Sequence, residues 1–296
     1  MGQVMEVYAT EERTVELSMP SGNQVILPTS SKGMRKVTIQ KPDTLLAENI
    51  KKDVVIGGVT GALEAPPTGP YIAYTSLDSS GRVFTAKFRG TIVPEYAFAY
   101  LAELTSVDMP DNVIAIGDNG FYRCPKLQLA SLPPGITSLG DFAFLNCYQL
   151  SLTALPSGIT SIGQYAFNNC PRLALTSLPP GLTSLPTAAF QYCPKLALTT
   201  FPSGMTSIGA YAFRQGTGLA SITLPPALTT IGDFAFSNCT GLETVKFTST
   251  VSSIPGGVFS GCTKLSTIYV PWSQGQVANA PWGASNATIV YDYTGE

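Results

Sequence analysis

The chain has 296 residues, of which 44% are hydrophobic, so it is long and apolar enough to bury a substantial core. The formal net charge of −2 gives no basic footprint for nucleic acid, and no apolar run of about 18 residues predicts a membrane span. Histidine is absent, which excludes Ser-His and Cys-His catalytic pairs and most zinc sites. We therefore expect no cofactor, no metal, no nucleic acid and no membrane insertion.

The first 65 residues differ from the rest of the chain in charge. They contain 15 of the 36 charged residues, whereas residues 130–240 contain five. A Pro/Gly cluster at 65–70 marks a boundary. We predict a small β-rich module at 1–65, then a linker and N-terminal cap at 66–93, in which 83–88 and 92–93 look like an incomplete first turn of a repeat.

The N-terminal module contains a recognisable segment. It reads KVTIQKP at 36–42, LLAENIKK at 45–52 and VIGGVTG at 55–61. This segment resembles one common in tail proteins of phages and prophages of Gram-positive bacteria, although Asp53 departs from the glycine usual after the paired lysines. The resemblance implies attachment to tail components through this module. The glycines alone would indicate only turns, since no helix or phosphate-loop lysine follows them.

A 23-residue repeat occupies residues 94–270. Phenylalanine recurs in one unbroken register, which we call the Phe ladder: Phe98, Phe121, Phe144, Phe167, Phe190, Phe213, Phe236 and Phe259. Leucine follows each ladder residue six positions later, and a further apolar residue follows eleven positions later. No single turn of this length can bury its own apolar residues, but stacked turns bury a continuous core.

The repeat predicts an α/β solenoid, a right-handed coil of 23-residue turns. We expect a parallel β-sheet on one face, with strands such as 242–247, and short helical segments opposite, such as 231–236. The unit L-x-x-[IV]-x-[LF]-P-x3-[LV]-x2-[IL]-G-x2-A-F-x2-C, clear at 219–239, resembles the BspA-like leucine-rich repeats of bacteria. That resemblance implies a surface adhesin or a protein- or glycan-binding module.

All six cysteines occupy one register, three residues after the ladder phenylalanine. They are Cys124, Cys147, Cys170, Cys193, Cys239 and Cys262, and Leu101 and Gly216 fill the same slot in the other two units. A slot that accepts Cys, Leu or Gly is a small buried apolar position. Stacked side chains point the same way, which disfavours disulfides, and no C-x2-C pair suggests metal binding.

The four central units place an apolar residue one position earlier than the outer units do. These residues are Leu129, Leu152, Leu175 and Leu198. Either a bulge returns them to the core, or they form an apolar stripe on the outside of the sheet, which would mark a binding site. The candidate ligand-binding residues on the strand face are these four leucines with Ser131, Ser177, Thr200, Thr223, Lys246 and Tyr269.

Hydroxyl and aromatic residues also recur in register. Thr/Ser doublets at 137–138, 160–161, 183–184, 206–207, 229–230 and 252–253 predict solvated turns that also bond neighbouring turns, with glycan binding as the alternative. Aromatic residues stand two before the ladder phenylalanine, and we expect them to pack the rim between turns: Tyr96, Phe142, Tyr165, Tyr211 and Phe234.

The C-terminal residues 271–296 are predicted to cap the solenoid. Trp272 and Trp282, the only tryptophans, should cover the last turn, and 287–293 reads as a final strand. The VPW at 270–272 and NAPWGA at 279–284 are similar to endings of the same phage tail proteins.

These patterns lead to one functional hypothesis with two alternatives. The leading hypothesis is a non-catalytic, phage or prophage tail-associated protein that contacts a host-cell protein or glycan through its repeats; it is a possible homo-oligomer. Residues 1–6 lack the features of a signal peptide, so we expect the chain either to act inside a cell or to leave by another route, such as a virus particle. The first alternative is a bacterial cell-surface or secreted adhesin. The remote alternative is a polysaccharide-acting enzyme, but the carboxylates Asp141 and Asp233 stand four turns apart.

Overall fold

The computed structural model describes residues 8–9, 24–28, 34–38, 55–56, 59–60, 71–77, 82–251 and 253–294. Strands are the only regular elements in these ranges. They are β1 (Tyr8–Ala9), β2 (Gln24–Pro28), β3 (Met34–Thr38), β4 (Val55–Ile56), β5 (Val59–Thr60), β6 (Tyr71–Leu77), β7 (Val83–Arg89), β8 (Ile92–Val93), β9 (Ser106–Asp108), β10 (Ala115–Ile116), β11 (Ser138–Leu139), β12 (Ser161–Ile162), β13 (Ser184–Leu185), β14 (Ser207–Ile208), β15 (Ser221–Leu224), β16 (Thr230–Ile231), β17 (Thr244–Phe247), β18 (Thr267–Tyr269) and β19 (Thr288–Val290). No helix of membrane-spanning length and apolarity occurs among them.

The strands before the repeats pair antiparallel. β2 pairs with β3, β4 with β5, and β6 with both β1 and β7. β7 then pairs in parallel with β9, and β8 pairs in parallel with β10, so the chain enters the repeats at 83–93, where an incomplete first turn was predicted. Asp53 and most of the segment that resembles phage tail proteins lie outside the described residues, and the domain boundaries stay a prediction.

The repeats form a β-solenoid whose coils stack in parallel with partner residues 23 positions apart. On one side, two-residue strands form two narrow sheets, in the orders β12-β11-β10-β8 and β13-β14-β16. The break between them follows from a proline. Gly163 donates its N–H to the Leu139 carbonyl and Gly209 donates to Leu185, but Pro186 holds the equivalent position and has no N–H to donate.

The predicted parallel sheet on the strand face is confirmed only toward the two ends of the solenoid. β15, β17, β18 and β19 pair in parallel in that order at the C-terminal end, and β9 lies at the N-terminal end. The four central coils have no strand there, apart from a single bridge between Thr200 and Thr223. The leucines placed one residue earlier in these coils therefore change the path of the backbone.

The prediction of short helical segments opposite the strand face is wrong. The segments around the ladder phenylalanines are successive β-turns, as in Ala99 N–H donating to the Tyr96 carbonyl three residues back. In the coils from Phe98 to Phe236, the residues two before and two after the phenylalanine are left-handed, for example Phe142 at φ 57° and Asn146 at φ 62°. Their N–H groups, and that of the phenylalanine, donate to carbonyls of the next coil, as Phe144 does to Ala166 at 2.7 Å. A helix would instead direct these N–H groups along its own axis.

The core of the solenoid is the Phe ladder with the leucine and isoleucine columns around it. Every ladder ring is fully buried, and successive rings stack with centroids 4.9–5.8 Å apart. At the C-terminal end, the buried Trp272 and Trp282 rings contact each other and Phe247. Both tryptophans are therefore part of the buried core at this end, and the role of 271–296 as a cap stays a prediction.

Candidate binding surfaces

The four central leucines predicted as candidate binding residues lie in the core. Leu129 is 7% exposed, Leu152 and Leu175 are fully buried, and Leu198 is 1% exposed. The exposed-stripe hypothesis is therefore wrong, and their assignment as ligand-binding residues is corrected to a core role. The backbone turns them inward without a bulge in a strand, since no strand runs through these segments.

The other six candidates on the strand face divide into two groups. Ser131, Ser177 and Thr200 are exposed on the strandless central coils. Thr223, Lys246 and Tyr269 stack in register across β15, β17 and β18, where each is partly buried. Their binding role stays a prediction, but the structure brings the second group together.

The Lys246 ammonium lies between two tyrosine rings. Its Nζ is 5.4 Å from the Tyr269 centroid and 5.5 Å from the Tyr293 centroid, and it donates a 3.4 Å hydrogen bond to the Tyr293 hydroxyl. Tyr293 lies 24 residues after Tyr269, one residue off the repeat register, so the repeat gave no signal for it. A cation held between aromatic faces is fixed in position.

An open depression lies at the N-terminal end of the strand face. It has a volume of about 270 Å³ and is lined by residues of β9, including Asp108, and by residues of the following coil, including Ser131. Arg89 pairs with Asp108 at 2.7 Å on an exposed surface, which screens that pair. Two predicted candidates, Leu129 and Ser131, contribute to this depression.

A second surface lies away from the strand face, where the sequence pattern did not indicate one. It is formed by the turns around the Phe ladder, and we call it the turn ridge. In its first coils the Arg123 guanidinium lies 5.2 Å from the Tyr122 centroid and 5.9 Å from that of Tyr100. Four coils on, the Arg214 guanidinium lies 5.7 Å from Tyr211 and 5.9 Å from Tyr192. The ridge therefore carries two arginine–tyrosine clusters.

The tyrosines of the first cluster are open to a partner. Tyr100 is 51% exposed and meets Tyr122 edge-on at 5.1 Å. Partial loss of hydration raises the pKa of the Tyr100 phenol, and Tyr122 raises it further while Arg123 opposes the shift. The phenol is therefore a neutral donor and acceptor at physiological pH. Elsewhere on the ridge Phe142 stacks on Tyr165 and Tyr211 on Phe234, which confirms rim packing for these aromatics.

The cysteines and threonines make structural contacts. Each of the six cysteines is buried and free, and donates its thiol to the carbonyl of the preceding coil's ladder phenylalanine at 2.9–3.2 Å. Burial raises the pKa of Cys147 and Cys170 well above the usual value, so they are not nucleophiles. The Thr137, Thr160 and Thr206 hydroxyls donate to carbonyls one coil back, which confirms the predicted bonding between turns.

The central carboxylates also hold the backbone. Asp118 accepts the Asp141 N–H, and Asp141 accepts both the backbone N–H and the side-chain amide of Gln164. Across the described residues, no three Cys, Asp or Glu side chains are grouped to hold a metal ion. The strand face and the turn ridge thus both present aromatic rings packed against a cation, an arrangement suited to binding a partner.

Comparison with known proteins supports the fold. The family model described as "BspA type Leucine rich repeat region" matches residues 91–215 and 183–280, with six copies. A leucine-rich repeat protein from Bacteroides ovatus has a similar structure, with a TM-score of 0.51, 18% identity, and coverage of 98% of this chain and 76% of its own. No curated protein is similar enough to count as a relative.

Two further solved structures are similar at lower TM-scores. The leucine-rich repeat protein of T. pallidum is 24% identical, with a TM-score of 0.42 over 69% of this chain and 81% of its own. A leucine-rich cell surface protein of Faecalibacterium prausnitzii is 21% identical, with a TM-score of 0.33 over 72% of this chain and 84% of its own.

Proposed function

The chain belongs to the BspA-type leucine-rich repeat family, and on this premise we propose that it is a non-catalytic protein that binds a cell surface through its solenoid. The observation that supports the proposal is a difference in sequence variation between the buried and the outward-facing residues of the repeat. The buried columns repeat almost unchanged, whereas the outward columns vary and place tyrosines with arginine or lysine at three separate points. Tyrosine and arginine are enriched at the energetic centres of binding interfaces.

The proposal is tested with the full chain and intact cells. Labelled protein should bind the cells saturably, and excess unlabelled protein should displace it. An unrelated protein of similar size and net charge is the control. Retention no greater than that of the control, across bacterial and host cells, would reject the proposal.

A tail-associated location is a second candidate, favoured by the 36–61 segment that resembles phage tail proteins. In that case the N-terminal module would attach to tail components, and the repeats would contact the host cell. Antibody detection of the chain in purified particles, after induction of the prophage that encodes it, tests this. If the chain is absent from particles but present on the bacterial surface, the adhesin alternative replaces it.

A further inference from the structure

The two arginine–tyrosine clusters of the turn ridge share one construction. Each has a guanidinium within 6 Å of two tyrosine rings, one of which belongs to the preceding coil. Their arginines come from different repeat positions, two after the phenylalanine for Arg123 and one after it for Arg214. The same arrangement is therefore reached from two different positions, which simple copying of a repeat would not produce.

Neither arginine has a carboxylate partner among the residues that the structure describes. Two other cations do pair with carboxylates, Arg89 with Asp108 and Lys126 with Glu103, at other positions of the coil. A guanidinium presents donors in a planar fork that matches a carboxylate with two parallel hydrogen bonds. Because Arg123 and Arg214 are already held beside tyrosine rings, they lose less conformational entropy when an anion binds.

Three cluster residues occupy a backbone position that favours asparagine. The position two after the ladder phenylalanine must be left-handed, and asparagine fills it at 146, 169 and 238. Asparagine tolerates this conformation better than other non-glycine residues. Yet Tyr100, Arg123 and Tyr192 take it at φ 63°, 55° and 58°. Other non-glycine residues also adopt this conformation outside the clusters, such as Gln215 at φ 60°, so the conformation does not by itself mark a site; it shows only that the clusters keep side chains where asparagine would be less strained.

The spacing of the clusters fits a polymer. Arg123 and Arg214 belong to coils four apart, and the ladder rings of adjacent coils between them have centroids 5.1–5.7 Å apart, so the clusters are roughly 20 Å apart. Between them the ridge carries amide side chains, including Asn146 and Asn169, which hydrogen-bond each other at 2.8 Å and are partly exposed. Amides suit hydroxyl groups, and aromatic faces attract the partly positive C–H groups of a sugar ring.

We infer that the turn ridge binds an acidic polysaccharide, with one carboxylate-bearing sugar at each arginine–tyrosine cluster. The guanidinium fork binds the carboxylate, and the tyrosine rings pack against the sugar. Contact at both clusters by one chain of sugars raises the overall affinity beyond that of either cluster. The inference rests on the proposed function and names its ligand class and site.

The test uses the full chain and polygalacturonate, which carries a carboxylate on each sugar. Neutral dextran tests the need for the carboxylate, and poly-L-glutamate tests the need for the sugar. We expect measurable binding of polygalacturonate at physiological salt, and binding of the other two polymers at least tenfold weaker. Absence of polygalacturonate binding, or equal binding of poly-L-glutamate, would overturn the inference.

Variants locate the site. The double variant Arg123→Gln/Arg214→Gln should bind polygalacturonate at least tenfold more weakly. The matched control is Arg172→Gln/Lys195→Gln, which removes the same charge from exposed residues of intervening coils that lie five after the phenylalanine. Its binding should change less than threefold, since long-range charge alone falls off over about 8 Å at physiological salt. Equal losses in the two variants would mean diffuse electrostatic attraction and would overturn the inference.

Two further measurements keep the outcomes separate. Arg123→Lys/Arg214→Lys preserves charge without the planar fork, and it should still lose affinity. Equal unfolding transitions for all variants show that the fold is kept. The cell-binding assay separates this inference from the proposed function. If the glutamine variant binds cells as well as the original chain does, the cell-binding proposal stands and the turn ridge is not its site.

Discussion

Removal of one ring from the middle of the Phe ladder is the sharpest test of the solenoid core. Phe167 is fully buried and lies between Phe144 and Phe190, with centroid distances of 5.3 and 5.4 Å. Phe167→Ala deletes a ring that contacts both neighbouring coils. The deletion therefore leaves a cavity in the middle of the ladder.

The expected loss is in the upper part of the range for such substitutions. Burial and cavity effects of Phe→Ala are about 3–5 kcal/mol. That range already includes ring contacts, and the loss of two stacked pairs, each worth about 0.5–1.5 kcal/mol beyond area alone, puts this site in its upper part. The neighbouring coils cannot collapse into the gap, because Phe144 donates to Ala166 at 2.7 Å and Phe167 donates to Ala189 at 2.9 Å. We therefore expect the free energy of unfolding to fall by about 4–5 kcal/mol.

The assay is equilibrium unfolding in urea, followed by far-ultraviolet circular dichroism. Phe234→Ala is the matched control, since this ring also stacks on a neighbour, Tyr211, but is 41% exposed. It should cost less than about 1.5 kcal/mol. Because repeats interact only with their neighbours, the Phe167 variant should also unfold less cooperatively. A loss below about 1 kcal/mol, or a loss equal to that of the control, would refute the continuous ladder.

Two further predictions concern the buried thiols and the glycines between coils. Burial raises the pKa of Cys124 and Cys193 to about 12. As the pH rises above about 9, these thiols therefore ionise in the unfolded chain before they ionise in the folded one. The free energy of unfolding should then fall by about 1.4 kcal/mol per pH unit for each such thiol. Urea unfolding at several pH values checks this, and Cys193→Ala should flatten the decline; an unchanged slope would contradict the shift. A Cβ at Gly163 would overlap the backbone of Gly140 and Asp141, whereas Gly204 has open space around it. Gly163→Ala should therefore cost about 1–3 kcal/mol and Gly204→Ala under about 0.5, and similar melting temperatures for the pair would contradict the close approach of the coils.

The columns of the core could be predicted from the sequence because burial constrains residue type in every coil. Phe121 and its equivalents all stack, and the cysteines are buried and free as expected. Small or apolar side chains recur wherever a coil contacts the next. The regular 23-residue period is therefore enough to predict the stacked fold and its core residues, whatever the local backbone conformation of each coil.

The helical segments could not be excluded from the sequence because the deciding quantity is a backbone angle. A-F-x2-C has helical composition, and the left-handed positions are filled by residues as different as Asn146, Arg123 and Ala188. None of these three positions holds glycine, the residue that usually indicates a left-handed conformation in a sequence. The hydrogen bonds to the next coil select the turn conformation, and they exist only after the coils stack.

The binding surfaces were the least predictable part, since they join positions that are not in one register. Tyr269 and Lys246 were found because strand register aligns them, but Tyr293 lies one residue off the period. Arg214 contacts Tyr192 and Tyr211, which stand two after and two before their ladder phenylalanines. Aligning the repeats therefore does not place these residues together, whereas the folded turns do.

If the arginine–tyrosine clusters serve binding rather than folding, one of their arginines should be replaceable at little expense in stability. Arg123→Asn relieves an unfavourable left-handed arginine, worth up to about 1 kcal/mol, and loses contacts with the Tyr100 and Tyr122 rings worth about 0.5–1 kcal/mol at an exposed site. The two changes nearly offset each other, so urea unfolding should move by less than about 1 kcal/mol while polygalacturonate binding weakens severalfold. A destabilisation above about 2 kcal/mol with unchanged binding would instead make Arg123 a part of the scaffold.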